Sequence, residues 1–94
     1  MISVGDVVLS KAGRDANRAF VVTQVLDETY VLLCDGELRK LDKPKKKKLK
    51  HIKETKFKPM DEVRANGRVL DADIRKHLNS QKAIDRNSKE VKLV

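Results

Sequence analysis

Two apolar runs limit what this chain can fold into. Ala19–Leu26 (AFVVTQVL) and Thr29–Cys34 (TYVLLC) are rich in β-branched residues, and only Asp27 and Glu28 part them. Runs this short, broken by polar pairs, suit strands and are too short for stable helices. Asp6–Ser10 reads as an earlier strand after Gly5, and Lys11–Arg18 as a polar loop around Gly13. Asp35-Gly36 is a hairpin signal, because a type I′ turn needs positive φ at both central residues. The spacing then predicts a returning strand over Glu37–Leu41 and a fifth strand over Leu49–Ile52. Five short strands in about 50 residues fit a small barrel or a curled sheet, which protects edges so short a chain could not otherwise cover. In Ala19–Leu26, Phe20 and Val22 share one face and Ala19, Val21 and Val25 the other. Apolar residues on both faces fit a tightly curved barrel, or a sheet partly covered by the C-terminal segment.

After Pro59 the pattern turns helical. Leu70, Ile74 and Leu78 recur at i, i+4 and i+8 on one face. Asp71 is a plausible N-cap and Asp73 places a second carboxylate in the first turn; Arg75, Lys76 and His77 follow toward the C-terminal end. Asn79-Ser80 reads as the stop. Two turns are marginal alone in water, so the helix must dock or fray. Gln81–Val94 has only scattered apolar residues and reads as loose. The division expected is a β domain over residues 1–56 and an extension over 57–94 with a short helix near 71–79.

The charge is concentrated. The 94 residues carry a net charge of +8. Met1–Asp42 holds five basic and seven acidic residues, and Pro59–Val94 eight and six. Between them, Lys43–Lys58 holds nine lysines against Glu54 alone. A basic stripe on an otherwise balanced chain points to a polyanion.

Other classes are excluded or disfavoured. No apolar stretch is long enough for a transmembrane helix, and the N-terminus lacks the pattern of a signal peptide. Cys34 is the single cysteine, so no internal disulfide forms and a reducing, cytoplasmic setting is expected. Cys34, His51 and His77 lack the paired spacing of a metal site, and no cofactor is expected. The chain contains no GxxxxGK[ST], GxSxG or HExxH motif, so a non-catalytic role is expected.

The candidate contacts are basic. Lys43, Lys45, Lys46, Lys47, Lys48 and Lys50 would meet phosphates as point charges, with His51 as a further donor. The plainer alternatives are a solvated linker or a basic targeting signal. Lys11, Arg14 and Arg18 flank Gly13, where positive φ or close backbone approach is expected. An ordinary loop, with Arg14 or Arg18 paired to Asp15, is the competing view. Arg39 and Lys40 lead toward the lysine run but would point to opposite faces of a strand. Phe20 and Tyr30 read as core, and Phe57 sits among lysines where it could stack on a base. With three aromatic side chains in all, recognition of backbone and shape is expected rather than base-by-base reading.

VGDVVLSKAGRDANRAFVVTQVL resembles the KOW motif: a strand, a basic loop with a key glycine (here Gly13), and a valine-rich strand. DGELRKLDKPKKKKLKHI is similar to the segment that follows in KOW-domain ribosomal proteins of the L-fourteen-e class and their small bacterial RNA-binding relatives. The resemblance covers Ile2–Lys53. It implies an SH3-like five-stranded barrel that binds RNA, usually ribosomal RNA of the large subunit, without catalysis. Asp15-Ala16-Asn17 departs from loops that carry more Lys or Gly. A protein-interaction module of the same fold, as in transcription or translation factors, is the alternative, and the C-terminal segment could hold a protein partner. The free chain is expected to be a monomer. A membrane role is not expected, since the lysine run has no lipidation site or adjacent apolar face.

Overall fold

The β-rich half of the sequence folds as an antiparallel sheet whose two edges are neighbours in the chain. The structure, a computed structural model, describes residues 1–81. The strands are β1 (Val7–Ser10), β2 (Ala19–Val25), β3 (Tyr30–Cys34), β4 (Lys45–Lys48) and β5 (Ile52–Glu54). Their order across the sheet is β4-β3-β2-β1-β5, with every pairing antiparallel. β4 and β5 are therefore opposite edges, yet only the 3₁₀ turn Leu49–His51 joins them. In a flat sheet, edges four strand spacings apart would be about 19 Å distant. A three-residue 3₁₀ turn rises only about 6 Å, so the sheet must curl. No ladder pairs β4 with β5 among the described residues, so the sheet is not closed.

Curling gives the sheet two apolar faces, and alternation fills both. Val8, Phe20, Val22, Val31, Leu33 and Ile52 are buried together on the inner face, with Ile2 and Leu49 at its margin. Val7, Leu9, Ala19, Val21 and Cys34 lie on the outer face. That face is covered by Met60 and by Ile74 and Leu78 of a second helix, with Phe57 partly buried beside them. The covering segment comprises α1 (Asp61–Arg64) and α2 (Asp71–Ser80). The helix, with 10 residues about three turns long, thus docks rather than frays, with Ile74 and Leu78 buried on the sheet.

Polar contacts fix where α2 sits. The Leu41 N–H donates to Asp71 Oδ1 at 2.8 Å, and Arg75 Nη1 donates to the Gly36 carbonyl. Gly36 has φ +77°, and a Cβ there would strike the Asp71 carbonyl, so only glycine allows this approach. Asp71 is not the N-cap. Leu70 holds that place, and its N–H donates to Asp73 Oδ2 at 2.9 Å. The Asp71 carboxylate is spent on Leu41 instead.

Two strand expectations are corrected. Glu37–Leu41 is a loop, because the buried Asp35 carboxylate takes the donors a ladder would need: Oδ1 accepts from Glu37 N–H (2.9 Å) and Arg39 N–H (2.8 Å). The strand that returns alongside β3 is Lys45–Lys48, the lysine run itself. The last strand begins at Ile52, not Leu49, because Leu49–His51 makes the turn. The expectation of a loose stretch over Gln81–Val94 falls, from residue 82 onward, outside the described residues. No helix among the described residues is long and apolar enough to cross a membrane.

Candidate nucleic-acid interface

A strand made of four consecutive lysines must send them alternately to opposite sides. The register pairs Leu33 with Lys45 and Val31 with Lys47, and pairs Leu32 with Lys46 and Tyr30 with Lys48. Lys45 and Lys47 therefore rise on the side of the inner core, and Lys46 and Lys48 on the outer side.

On the inner side, both lysines carry their ammonium groups to the loop after β1. Lys47 Nζ donates to the Ala12 carbonyl at 3.0 Å, and Lys45 Nζ lies 3.7 Å from Asp15 Oδ2. Gly13 has φ +79°, and a Cβ there would lie 3.9 Å from Lys47 Nζ. The sequence places Gly13 and Lys47 far apart, and the fold makes them neighbours. The Lys11 N–H donates to the His51 carbonyl at 2.8 Å, bringing the same loop to the 3₁₀ turn that contains Lys50. Lys11, Gly13, Arg14, Lys45, Lys47, Lys50 and His51 thus form one region, with Asp15 inside it. Lys11, Arg14 and Lys50 are exposed there.

Other basic residues belong elsewhere. Arg18 Nε donates to Asp35 Oδ2 at 3.0 Å, and its Nη2 lies 3.7 Å from Glu37 Oε2. It pairs with these carboxylates, not with Asp15. Arg39 and Lys40 lie in the loop that Asp35 organises, not on a strand. Lys43 closes a turn there through its N–H to the Lys40 carbonyl, 3.0 Å.

The outer side has a different character. Lys46 Nζ sits 4.4 Å from the centroid of the Tyr30 ring, a cation–π contact. Phe20 is buried as expected, but Tyr30 is only half-buried and opens outward. Sequence patterning missed it, since the run TYVLLC reads as core throughout. The available signal was its place as first residue after a turn. Asp27 Oδ1 accepts from the N–H groups of Thr29 (2.7 Å) and Tyr30 (2.8 Å). These bonds, helped by the charge of Lys46, hold the Asp27 carboxyl below the usual carboxylate range.

The neutral candidates resolve plainly. Cys34 is fully buried, and burial pushes its thiol up to about 11. His77 Nε2 donates to the Lys58 carbonyl at 2.7 Å. Among the described residues, no group of three or more His, Cys, Asp or Glu is placed to hold a metal ion. No protein-family model matches the chain, and no curated protein matches its sequence.

Proposed function

We propose that this chain is a non-catalytic RNA-binding module that meets the phosphates of a structured RNA with Lys and Arg side chains. The observation that carries this reading is the convergence of Lys45 and Lys47 on the loop Ala12–Asp15. It joins two lysines of the strand and the glycine loop into one cationic surface. Lysines on an edge strand also repel further strand pairing, which suits a lysine run at this position whatever its ligand. Four in succession, followed by Lys50 and beside Lys11 and Arg14, exceed what edge protection requires. Closely packed ammonium groups repel one another, and a polyanion relieves that repulsion while releasing counterions.

In this proposal the curled sheet is an SH3-like barrel of the KOW type, in keeping with the resemblance over Ile2–Lys53. Ribosomal RNA of the large subunit is the proposed target, and the cytoplasm the proposed setting. Titration of the protein with large-subunit ribosomal RNA fragments at several salt concentrations tests the proposal. Five or six lysine and arginine contacts give a slope of log K against log salt of roughly −3.5 to −5. Replacing Lys45, Lys46, Lys47 and Lys48 together by Gln should flatten that slope and weaken binding while β-sheet circular dichroism is retained. Unchanged affinity in a folded variant refutes the phosphate role. Co-sedimentation with large ribosomal subunits at low salt, lost at high salt, is the corresponding result in a cell extract.

A further inference from the structure

We propose that the outer face of β3 and β4 captures one unpaired RNA base on Tyr30, with Lys46 and Lys48 taking the adjoining phosphates. This rests on the RNA reading above and adds a second contact surface to it. It also departs from pure backbone recognition, because a stacked base must first be out of its helix.

The first support is placement. Tyr30 and Leu32 lie two apart on β3 and so share a face, and the register sets Lys48 opposite Tyr30 and Lys46 opposite Leu32. The buried outer cluster under Met60, Ile74 and Leu78 includes Cys34 of β3 but neither Tyr30 nor Leu32. Both side chains are half-buried, and Lys46 is exposed. The patch combines a flat π surface, an apolar shelf and two cations, the elements that hold a single-stranded nucleotide.

The second support is rigidity. The Tyr30 backbone is pinned by its N–H to Asp27 and by its carbonyl, which accepts from the Leu26 N–H at 3.0 Å. The neighbouring Thr29 carbonyl accepts from Leu49 N–H at 2.8 Å, which ties this turn to the end of β4. With the backbone fixed, only the two side-chain torsions of the tyrosine remain to be ordered when a base stacks on its ring.

The third support is the occupant already in place. Lys46 Nζ covers the Tyr30 ring at 4.4 Å and rides on a flexible stem. An incoming base takes the ring face, and Lys46 swings to the phosphate beside it. Exposed Asp27 and Glu28 border the patch on the β2–β3 turn and repel phosphates. The RNA strand therefore runs from Tyr30 along β4 and away from that turn.

Tyr30 is the single tyrosine and the chain has no tryptophan, so intrinsic fluorescence reports this site alone. The test titrates the full chain with an RNA hairpin bearing one bulged adenosine and with the same hairpin fully paired, correcting for RNA absorbance. The bulged hairpin should bind more tightly and quench the tyrosine; the paired hairpin should bind without quenching. Tyr30→Leu should weaken binding of the bulged hairpin by about 5- to 150-fold and leave the paired hairpin unchanged. Tyr30→Phe should restore the wild-type affinity. Steeply salt-dependent binding of both hairpins, with no quenching and equal affinities for wild type and Tyr30→Leu, overturns base capture and leaves the RNA reading standing. Failure to bind either hairpin at low salt overturns both. If Tyr30→Leu does not fold, the wild-type difference in quenching between the two hairpins decides.

Discussion

The outer face of the sheet is finished differently at its two ends. Toward β1 it carries Val7, Leu9, Ala19 and Val21, all buried beneath Met60, Ile74 and Leu78. Toward β4 it carries Tyr30, Leu32, Lys46 and Lys48, which no described element buries. Both ends belong to one curled sheet with one alternation. At the first end the alternation supplies only apolar residues, and burial against a helix is the favourable outcome. At the second it interleaves lysines, whose desolvation would cost more than covering Leu32 could return. A sheet can therefore assign cover and interface to one surface by where it places charge.

The comparison can be broken most forcefully at the covered end. Leu78→Ala should destabilise the fold by about 2–5 kcal/mol in urea denaturation, as expected for a fully buried leucine. Leu32→Ala, at the open end, should cost clearly less, and equal losses would mean that the open end is covered after all.

Cys34 offers a probe of the covered end that needs no substitution. Its thiol is raised from 9.0 to about 11 because the folded protein buries it. The sign follows: below pH 9 both folded and unfolded states keep the thiol neutral, and the group costs nothing. As pH rises from about 9 toward 11 the unfolded state ionises first, so stability falls, by at most about 2–3 kcal/mol from this group. Comparing the pH dependence of unfolding with that of Cys34→Ala isolates the contribution. A thiol reagent should react with the native protein far more slowly than with the denatured one.

Two glycines sharpen the contrast between packing and open space. Gly36 and Gly13 both have positive φ, but a Cβ at Gly36 meets the Asp71 backbone while one at Gly13 meets nothing closer than Lys47 Nζ at 3.9 Å. Gly36→Ala should cost about 2 kcal/mol or more, and Gly13→Ala about 1 kcal/mol, the price of the left-handed conformation alone. Thermal or urea midpoints of the two variants measure the difference.

The smallest effect is expected on the lysine strand. Lys45→Gln removes a part-exposed ion pair with Asp15 at 3.7 Å. It should change stability by less than about 0.5 kcal/mol. A larger loss would mean that Lys45 holds the loop in place, so that its effect on RNA binding could not be read as lost phosphate contact.

Much of the fold was legible in the residues. Ala19–Val25 and Tyr30–Cys34 are strands as the β-branched runs predict, and Asp71–Ser80 is a helix as the spacing of Ile74 and Leu78 predicts. The apolar residues on both faces of β2 left a curved barrel and a covered sheet as alternatives, and the fold has both a curled inner core and a helix over the outer face. The lysine run was harder. Its β-propensity is poor, so it reads as a linker, and only pairing with the strongly apolar β3 makes it a strand. Glu37–Leu41 misled for the opposite reason. Its place after Asp-Gly suggested a ladder, but Asp35 takes the Glu37 and Arg39 donors and Asp71 takes that of Leu41.

The candidate site divides along the same line. Its residue types and the concentration of charge in Lys43–Lys58 can be read directly, because net charge is a property of composition. Which lysines act together cannot. Lys45 and Lys47 join the Gly13 loop, Lys46 and Lys48 join Tyr30, and Arg18 is taken by Asp35. By itself the sequence determined the first three strands, the helix and a local excess of positive charge, since these follow from short-range patterning. Only the tertiary structure decided the register of β4 against β3 and the reach of the helix over the sheet. Those depend on contacts between residues distant in the chain, and a shift of one residue in that register would exchange the two sets of lysines.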